Sequence, residues 1–112
     1  MRRSAAPERG DVVWLSFSPQ AGREQAGRRP ALVLTPAQFN RRVGLALVCP
    51  VTSRIKGYPF EVALQGVDVS GVVLVDQLRS LDWRARRAEP AGKAPASVMT
   101  EVLAKLRPLL GE

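Results

Sequence analysis

Residues 12–17 read VVWLSF, and the alternation of apolar side chains along this stretch decides the fold class. Val13, Leu15 and Phe17 fall on one face of an extended chain, which is the period of a half-buried β-strand. The run ALVL at residues 31–34 is apolar throughout and is typical of a buried central strand. Both patterns predict a protein built around a β-sheet.

Further strand-length apolar runs follow at residues 45–51, 60–64 and 71–75. Glycine and proline separate them, a punctuation typical of a compact, mainly antiparallel sheet or barrel. Pro50 marks an edge, a bulge or a strand end, because proline lacks the N–H that a central strand uses. Residues 36–42 predict a single helical turn.

The C-terminal residues follow a helical period instead. Apolar side chains recur there at helical spacing, at Met99, Val102, Leu103, Leu106 and Leu110. The spacing predicts a helix over residues 97–110 that shields an open face of the sheet, with Ser97 as its N-cap and Pro108 in its last turn. Such a stripe is more often core than a docking site for a partner.

We expect one domain, residues 1–112, because a chain of this length supports one core. Residues 1–9 are expected to form a flexible arm, and residues 84–95 a loop. The apolar runs are too short to span a membrane, and the basic start lacks the apolar stretch of a secretory signal. We therefore expect a cytoplasmic protein without a membrane partner.

The formal net charge is +7, and of the 17 basic residues three are lysines, which leaves fourteen arginines. The guanidinium fork suits bidentate contacts to phosphate. A GC-rich genome also produces abundant arginine, but the excess charge predicts an acidic or polyanionic partner, most simply nucleic acid.

The chain has no histidine, which excludes Ser-His-Asp hydrolysis, Cys-His catalysis and RNA cleavage by paired imidazoles. The single cysteine, Cys49, lies in an apolar run and is expected to be a buried, inert thiol without a disulfide partner. The carboxylates Asp68, Asp76 and Asp82 are scattered along the chain. We therefore expect no metal centre and no cofactor.

Residues 22–30 read GREQAGRRP, a glycine-flanked loop that brings a carboxylate and two guanidinium groups to the start of a buried strand. Pro30 fixes its own φ and favours an extended conformation at Arg29. Arg29 would then lie where the loop meets rigid structure, a place suited to gripping a phosphate. A solvated surface loop is the plain alternative, and this segment alone does not decide between them.

Several short motifs occur in a fixed order: GDVVW at 10–14, EQAG at 24–27 with RPA at 29–31, CPVT at 49–52, KGYPFEV at 56–62 and DQ at 76–77. Together they resemble the MazF/PemK family of toxin endoribonucleases, and more closely its MazF branch. Each motif alone is weak evidence, whereas the ordered set is specific. The resemblance extends from about residue 9 to the C-terminal helix.

The resemblance implies a small twisted antiparallel β barrel, SH3-like and of the CcdB/PemK type, with a C-terminal α-helix. It implies a homodimeric toxin of a type II toxin–antitoxin system that cleaves single-stranded RNA, including mRNA, at short sequence motifs without metal. The products would carry 2′,3′-cyclic phosphate and 5′-hydroxyl ends. A MazE-like antitoxin would neutralise the toxin by laying an acidic, disordered tail in the RNA groove.

Carried over by motif, the resemblance places the catalytic arginine at Arg29, the catalytic threonine at Thr52 and the loop carboxylate at Glu24. Arg29 would stabilise charge on the phosphate, and Thr52 would donate its hydroxyl to the same group. Glu24 is the candidate base, and its competing role is an ion pair that only positions the loop.

Five further residues are candidates for holding RNA: Arg28, Lys56, Gln77, Arg79 and Arg86. Arg28 stands where close relatives often have histidine, and Ser16 and Ser18 stand where several have acidic residues. These departures affect the expected substrate preference more than the reaction. Trp14 and Trp83 could stack on bases, although so few aromatic residues are more often needed in the core.

Two other functions stay open from the sequence. One is a non-catalytic β barrel that binds nucleic acid, and the other is a toxin of the same architecture that inhibits a protein such as DNA gyrase. Neither requires Glu24, Arg29 and Thr52 together, so this set favours the ribonuclease.

Overall fold

The computed structural model describes residues 5–17 and 27–112. This part of the chain forms seven strands, two α-helices and a 3₁₀ turn. In order they are β1 (Asp11–Ser16), β2 (Arg28–Val33), α1 (Ala37–Val43), β3 (Ala46–Thr52), β4 (Glu61–Leu64), β5 (Gly71–Leu74), the 3₁₀ turn (Val75–Gln77), β6 (Arg79–Leu81), β7 (Glu89–Lys93) and α2 (Ala96–Leu109).

The strands form one antiparallel sheet in the order β4-β5-β3-β2-β1-β7, with β6 paired to β3. The sheet curls strongly into a half-barrel, and α2 completes the fold. The expected mainly β architecture with a C-terminal helix is therefore confirmed. Within the described residues, neither helix has the length and apolar character needed to cross a membrane.

The central strand β3 changes partner along one of its edges. Its residues 46–48 pair with β6, and its residues 51–52 pair with β5, while β2 runs along the other edge. Pro50, which lacks an N–H, lies where the partner changes. The proline therefore lies inside a central strand, in the two-residue stretch of Cys49 and Pro50 that pairs with neither β6 nor β5.

The core consists of two clusters on the two faces of the curled sheet. The first includes side chains from α2 and contains Val12, Leu32, Leu34, Cys49, Val51, Val62, Leu64, Val73, Val75, Ala94, Val98 and Val102. The second contains Val13, Leu15, Phe17, Ala31, Val33, Ala46, Val48, Leu81 and Trp83. Because α2 contributes no buried residue to the second cluster, we call its side the uncovered face, meaning the face that α2 does not cover. The side chains of this cluster are themselves at most 3% exposed, and Ala6 and Ala88 pack against them.

The helix α2 lies within one residue of the predicted bounds at each end, and its inward side chains belong to the core as expected. Its N-cap is Pro95 rather than Ser97, and no side chain caps the first turn. The helix ends one residue after Pro108, which agrees with the predicted stop in the last turn.

Residues 5–9 were expected to lie in a flexible arm, but contacts with α1 tie them to the fold. The side chain of Asn40, itself fully buried, donates to the carbonyl of Pro7 at 2.8 Å. The carboxylate of Glu8 accepts the backbone N–H of Ala37 at 2.8 Å. Residues 1–4 lie outside the described residues.

Residues 84–95 were expected to form a loop, but they contain β7, which pairs with β1. The sequence EPAGK has no strand-like alternation, so the neighbouring strand rather than local propensity makes this segment extended. The addition of β7 gives β1 a partner on each edge.

Candidate active site

The two residues expected to carry the chemistry lie on neighbouring strands. The β2–β3 ladder pairs Val33 with Val48 and Leu32 with Cys49, and it ends with Ala31 opposite Pro50. Carrying this register two residues further sets Arg29 opposite Thr52. Residues that are directly opposite on antiparallel strands share a face of the sheet. Both side chains therefore belong to the same end and the same face of the β2–β3 pair.

That face is the uncovered one. Arg29 pairs with Leu15 of β1, and Leu15 belongs to the core cluster to which α2 contributes nothing. Arg29 is partly buried, and Thr52 is only 6% exposed. The two polar groups are therefore held against the sheet, where their positions are set by the strands.

Thr52 is fixed by contacts to its own backbone neighbours. Its hydroxyl oxygen accepts the N–H of Arg54 at 3.1 Å, which leaves the O–H to donate to a ligand. Gly71, with φ of +137°, passes so close that a Cβ on it would lie 2.3 Å from the Thr52 carbonyl oxygen. Only glycine fits this approach, and no local pattern around Gly71 predicts it.

Glu24, the candidate base, lies outside the described residues, as does Ser18. The other end of the loop, Gly27, is described, and its carbonyl accepts the N–H of Phe17 at 2.8 Å. A hydrogen bond therefore joins the chain directly after β1 to the chain directly before β2.

The guanidinium of Arg28 donates to several acceptors within the protein. Its Nη2 donates to the carbonyl of Arg87 at 2.7 Å and to the carboxylate of Glu89. Its Nη1 donates more weakly to the hydroxyl of Ser16 at 3.3 Å and to the carbonyl of Arg86 at 3.4 Å. Two of the residues that depart from the family's pattern, Arg28 and Ser16, are therefore in contact.

Arg86 joins the same region. Its backbone carbonyl accepts the N–H of Ser16, and its Nη1 donates to the carbonyl of Ser16, both at 3.1 Å. The end of β1 is thereby fixed to the turn that precedes β7.

Arg79 lies on the uncovered face. It pairs with Val48, and its guanidinium lies 5.8 Å from the ring centroid of Phe17, a cation–π distance. Its Nη1 is buried without a hydrogen-bond partner. A buried donor of this kind usually finds an acceptor, so this cation is suited to an anionic ligand.

The two remaining RNA-binding candidates lie beyond β3 and β5. Lys56 is exposed in the loop between β3 and β4, and Gln77 is half-buried in the 3₁₀ turn that precedes β6. Along the chain, Lys56 is four residues after Thr52, and Gln77 is two residues before Arg79.

The tryptophans divide between core and surface. Trp83 is only 2% exposed, and its indole N–H donates to the carbonyl of Asn40 at 2.8 Å. It is a core residue, so the idea that its ring stacks on bases is wrong. Trp14 is partly exposed on β1. Tyr58 was not predicted to bind RNA, but its side chain is more exposed than that of Trp14.

Among the described residues, three groups have shifted pKa values. The hydrogen bonds from the backbone N–H groups of Ala37 and Arg9 lower the pKa of the Glu8 carboxyl. Burial, aided by the charge of Asp76, raises the pKa of the Cys49 thiol to about 12, as expected for an inert core thiol. The hydrogen bond from Tyr58 to the carboxylate of Asp76, at 2.5 Å, raises the pKa of the Tyr58 phenol.

Among the described residues, no three His, Cys, Asp or Glu side chains form a group that could hold a metal ion.

Comparisons with known proteins agree with this geometry. The model of a family described as PemK-like, MazF-like toxin of type II toxin-antitoxin system matches residues 8–110. The endoribonuclease toxin MazF of Escherichia coli K12 is 45% identical over 105 residues, which cover 94% of this chain and 95% of that protein.

Solved structures give the same result. The crystal structure of MazF from Deinococcus radiodurans matches with a TM-score of 0.92 at 62% identity, over 96% of this chain and 98% of that chain. A MazE–MazF crystal structure from the same organism matches with a TM-score of 0.85 at 63% identity, over 95% and 96%. With a family model spanning nearly all of it and a relative 45% identical over nearly its full length, the chain belongs to the PemK-like, MazF-like toxins of type II toxin–antitoxin systems.

Proposed function

We propose that this chain is an endoribonuclease toxin that cleaves single-stranded RNA, including mRNA, at short sequence motifs without a metal ion. The observation that supports the proposal is the register of β2 and β3: continued two residues beyond its last pair, Ala31–Pro50, it brings Arg29 opposite Thr52. The relatives named MazF, PemK and ChpB are described as endoribonucleases, which supports the same activity.

In the proposed reaction, RNA supplies its own nucleophile, the 2′-hydroxyl beside the scissile phosphate. Its oxygen bonds to phosphorus as the bond from phosphorus to the 5′ oxygen breaks, which leaves a 2′,3′-cyclic phosphate and a 5′-hydroxyl. Arg29 and Thr52 donate to the phosphate oxygens on which negative charge accumulates. Glu24 takes the proton from the 2′-hydroxyl, Arg29 donates a proton to the leaving 5′ oxygen, and solvent carries the proton on Glu24 back to Arg29.

The RNA would bind at the end of the β2–β3 pair that carries Arg29 and Thr52, and along the adjoining loops. Lys56, Gln77, Arg79 and Arg86 provide cations and hydrogen-bond donors there, and the net charge of +7 favours a polyanion. We assign Arg28 chiefly to holding the ends of β1 and β2 against the turn before β7, because its guanidinium already has acceptors within the protein.

We further propose a homodimer in the cytoplasm, neutralised by a MazE-like antitoxin. The D. radiodurans relatives were crystallised as MazE–MazF complexes, which supports the antitoxin. An acidic antitoxin tail would compete with RNA for the same cations, so binding of the two should be mutually exclusive and sensitive to salt.

The test incubates the purified protein with single-stranded RNA, and with DNA of the same sequence, in excess chelator. We expect the RNA to be cut to products with 2′,3′-cyclic phosphate ends and the DNA to survive, because it lacks the 2′-hydroxyl. Arg29→Ala should lose about 3–4 kcal/mol of transition-state stabilisation, a rate loss of roughly 100- to 1,000-fold.

Intact RNA with the wild-type protein would overturn the ribonuclease in favour of a nucleic-acid-binding barrel or a gyrase inhibitor. Equal cleavage by the wild type and Arg29→Ala would remove Arg29 from the mechanism.

A further inference from the structure

The loop between β3 and β4 connects the candidate catalytic threonine to the candidate RNA-binding lysine. All of its residues from Ser53 to Pro59 are exposed, and none belongs to a strand or helix. A loop without a hydrogen-bond ladder or a buried side chain loses more entropy when it is held in one conformation. Its geometry must therefore come from specific contacts.

One carboxylate supplies most of them. Glu61, the first residue of β4, accepts the backbone N–H groups of Lys56 at 3.0 Å, Gly57 at 3.0 Å and Tyr58 at 3.2 Å. Gly57 has φ of +76°, the left-handed conformation that lets consecutive N–H groups converge on an anion. Bonds to an ionised acceptor are stronger than those to a neutral one.

The return contact comes from the backbone of the same residue. The N–H of Glu61 donates to the carbonyl of Tyr58 at 3.1 Å, and β5 holds Glu61 opposite Leu74. Glu61 is therefore held in the sheet by its pairing with β5, and its carboxylate holds the loop through hydrogen bonds.

Three further contacts hold the end of the loop. The hydroxyl of Tyr58 donates to the carboxylate of Asp76, and the ring of Tyr58 lies 5.8 Å from that of Phe60. Lys105 of α2 donates to the carbonyl of Pro59 at 2.6 Å. These contacts lie on the β4 side of Lys56, and the Arg54–Thr52 hydrogen bond lies on the β3 side.

We propose that Glu61 is a positioning residue that holds the backbone at Lys56 so that the lysine meets an RNA phosphate. This rests on the proposed ribonuclease function. Lysine is a flexible point charge, and fixing its backbone in advance reduces the entropy lost when RNA binds. Glu61 itself faces backbone amides and repels phosphate, so a direct contact with RNA would weaken binding.

The test is a double-mutant cycle on the full-length protein with Lys56→Ala, Glu61→Gln and the double variant. Binding is measured with an RNA whose 2′-hydroxyl at the cut is methylated, and KM and kcat with the cleavable RNA. Glutamine keeps the shape but replaces an ionised two-oxygen acceptor with one neutral carbonyl. Glu101→Gln, on the exposed side of α2, changes the net charge equally and is the matched control.

We expect Lys56→Ala to weaken RNA binding about tenfold, the scale of one charged hydrogen bond. Glu61→Gln should raise Kd and KM roughly fivefold with kcat within about twofold, and the double variant should bind no worse than Lys56→Ala within about twofold. Glu101→Gln should leave KM unchanged or slightly lower it.

Multiplicative effects of the two substitutions, or an unchanged KM in Glu61→Gln, would overturn the positioning role. If Glu61→Gln fails to fold, Tyr58→Phe removes the bond to Asp76 with the ring retained, and the same coupling to Lys56→Ala is expected at smaller size. The methylated RNA reports binding whether or not the protein cleaves, so failure of the ribonuclease and failure of the positioning role give different results.

Discussion

Gly71→Ala is expected to reduce cleavage about a hundredfold, although Gly71 touches no substrate in the proposed mechanism. A Cβ at this position would lie 2.3 Å from the carbonyl oxygen of Thr52 and 2.8 Å from its carbonyl carbon. Ordinary carbon–oxygen contacts are about 3.3 Å or longer, so the Thr52 backbone must move by about 1 Å. A displacement of 1 Å in a group that positions the reaction costs roughly a hundredfold in rate.

Backbone strain also contributes to this substitution. Gly71 has φ of +137°, a conformation that costs a residue with a side chain about 1–3 kcal/mol of stability. Gly92 provides a matched control, because its φ is +142° and its added Cβ would meet only the side chain of Val67, at 3.1 Å. Gly92→Ala therefore carries similar strain without moving Thr52.

The assay measures kcat/KM with a fluorogenic RNA for both variants, at a temperature where circular dichroism shows each to be folded. We expect Gly71→Ala to lose about two orders of magnitude and Gly92→Ala to stay within about threefold of wild type. Equal kcat/KM in the two variants would refute the claim that the close approach of Gly71 sets the position of Thr52.

Four further substitutions or measurements test the fold and the site. Arg28→Ala should lower activity but leave the slope of log Kd against log salt unchanged, and a slope smaller by about 0.7 would mean that it binds a phosphate. Val102→Ala should destabilise the protein by about 2–3 kcal/mol in urea unfolding, because this side chain of α2 is fully buried against the first core cluster. Trp83→Phe should cost about 1 kcal/mol in the same measurement, since it removes one of the two donors to the carbonyl of Asn40 and leaves the N–H of Gly44 as the other. Cys49 should resist a thiol reagent at pH 8 until the protein unfolds, because burial raises its pKa to about 12, and rapid labelling of the native protein would contradict this.

The strands that the sequence predicts are those with a clear hydrophobic pattern of their own. β1 alternates and β3 is apolar throughout, so both stand out against the loops around them. β6 and β7 read RSL and EPAGK, and neither has a pattern that indicates a strand. They are extended because β3 and β1 offer them free edges, which is information that local sequence does not contain.

The candidate site divides in the same way. Arg29 and Thr52 were named from motifs, but the register that sets them opposite each other depends on how β2 and β3 pair over their whole length. Glu61 and Gly71 were not predicted to belong to the site. Glu61 contacts the backbone of Lys56, and Gly71 contacts the backbone of Thr52, and both of these neighbours were predicted site residues. Their roles lie in contacts with the backbone, a carboxylate that accepts three N–H groups and a Cα that approaches a carbonyl.

The chain has no histidine, so the proposed reaction relies on charged and hydroxyl groups that are held in fixed positions. The two groups assigned to the phosphate are on strands, where neighbouring ladders fix their positions, and Thr52 is held further by Gly71. Lys56, by contrast, lies on an exposed loop that a single carboxylate organises. Changes at the strand positions should therefore reduce kcat, whereas changes in the loop should raise KM. Because Arg29 is assigned to the negative charge that develops in the transition state, Arg29→Ala should keep its affinity for methylated RNA to within about tenfold.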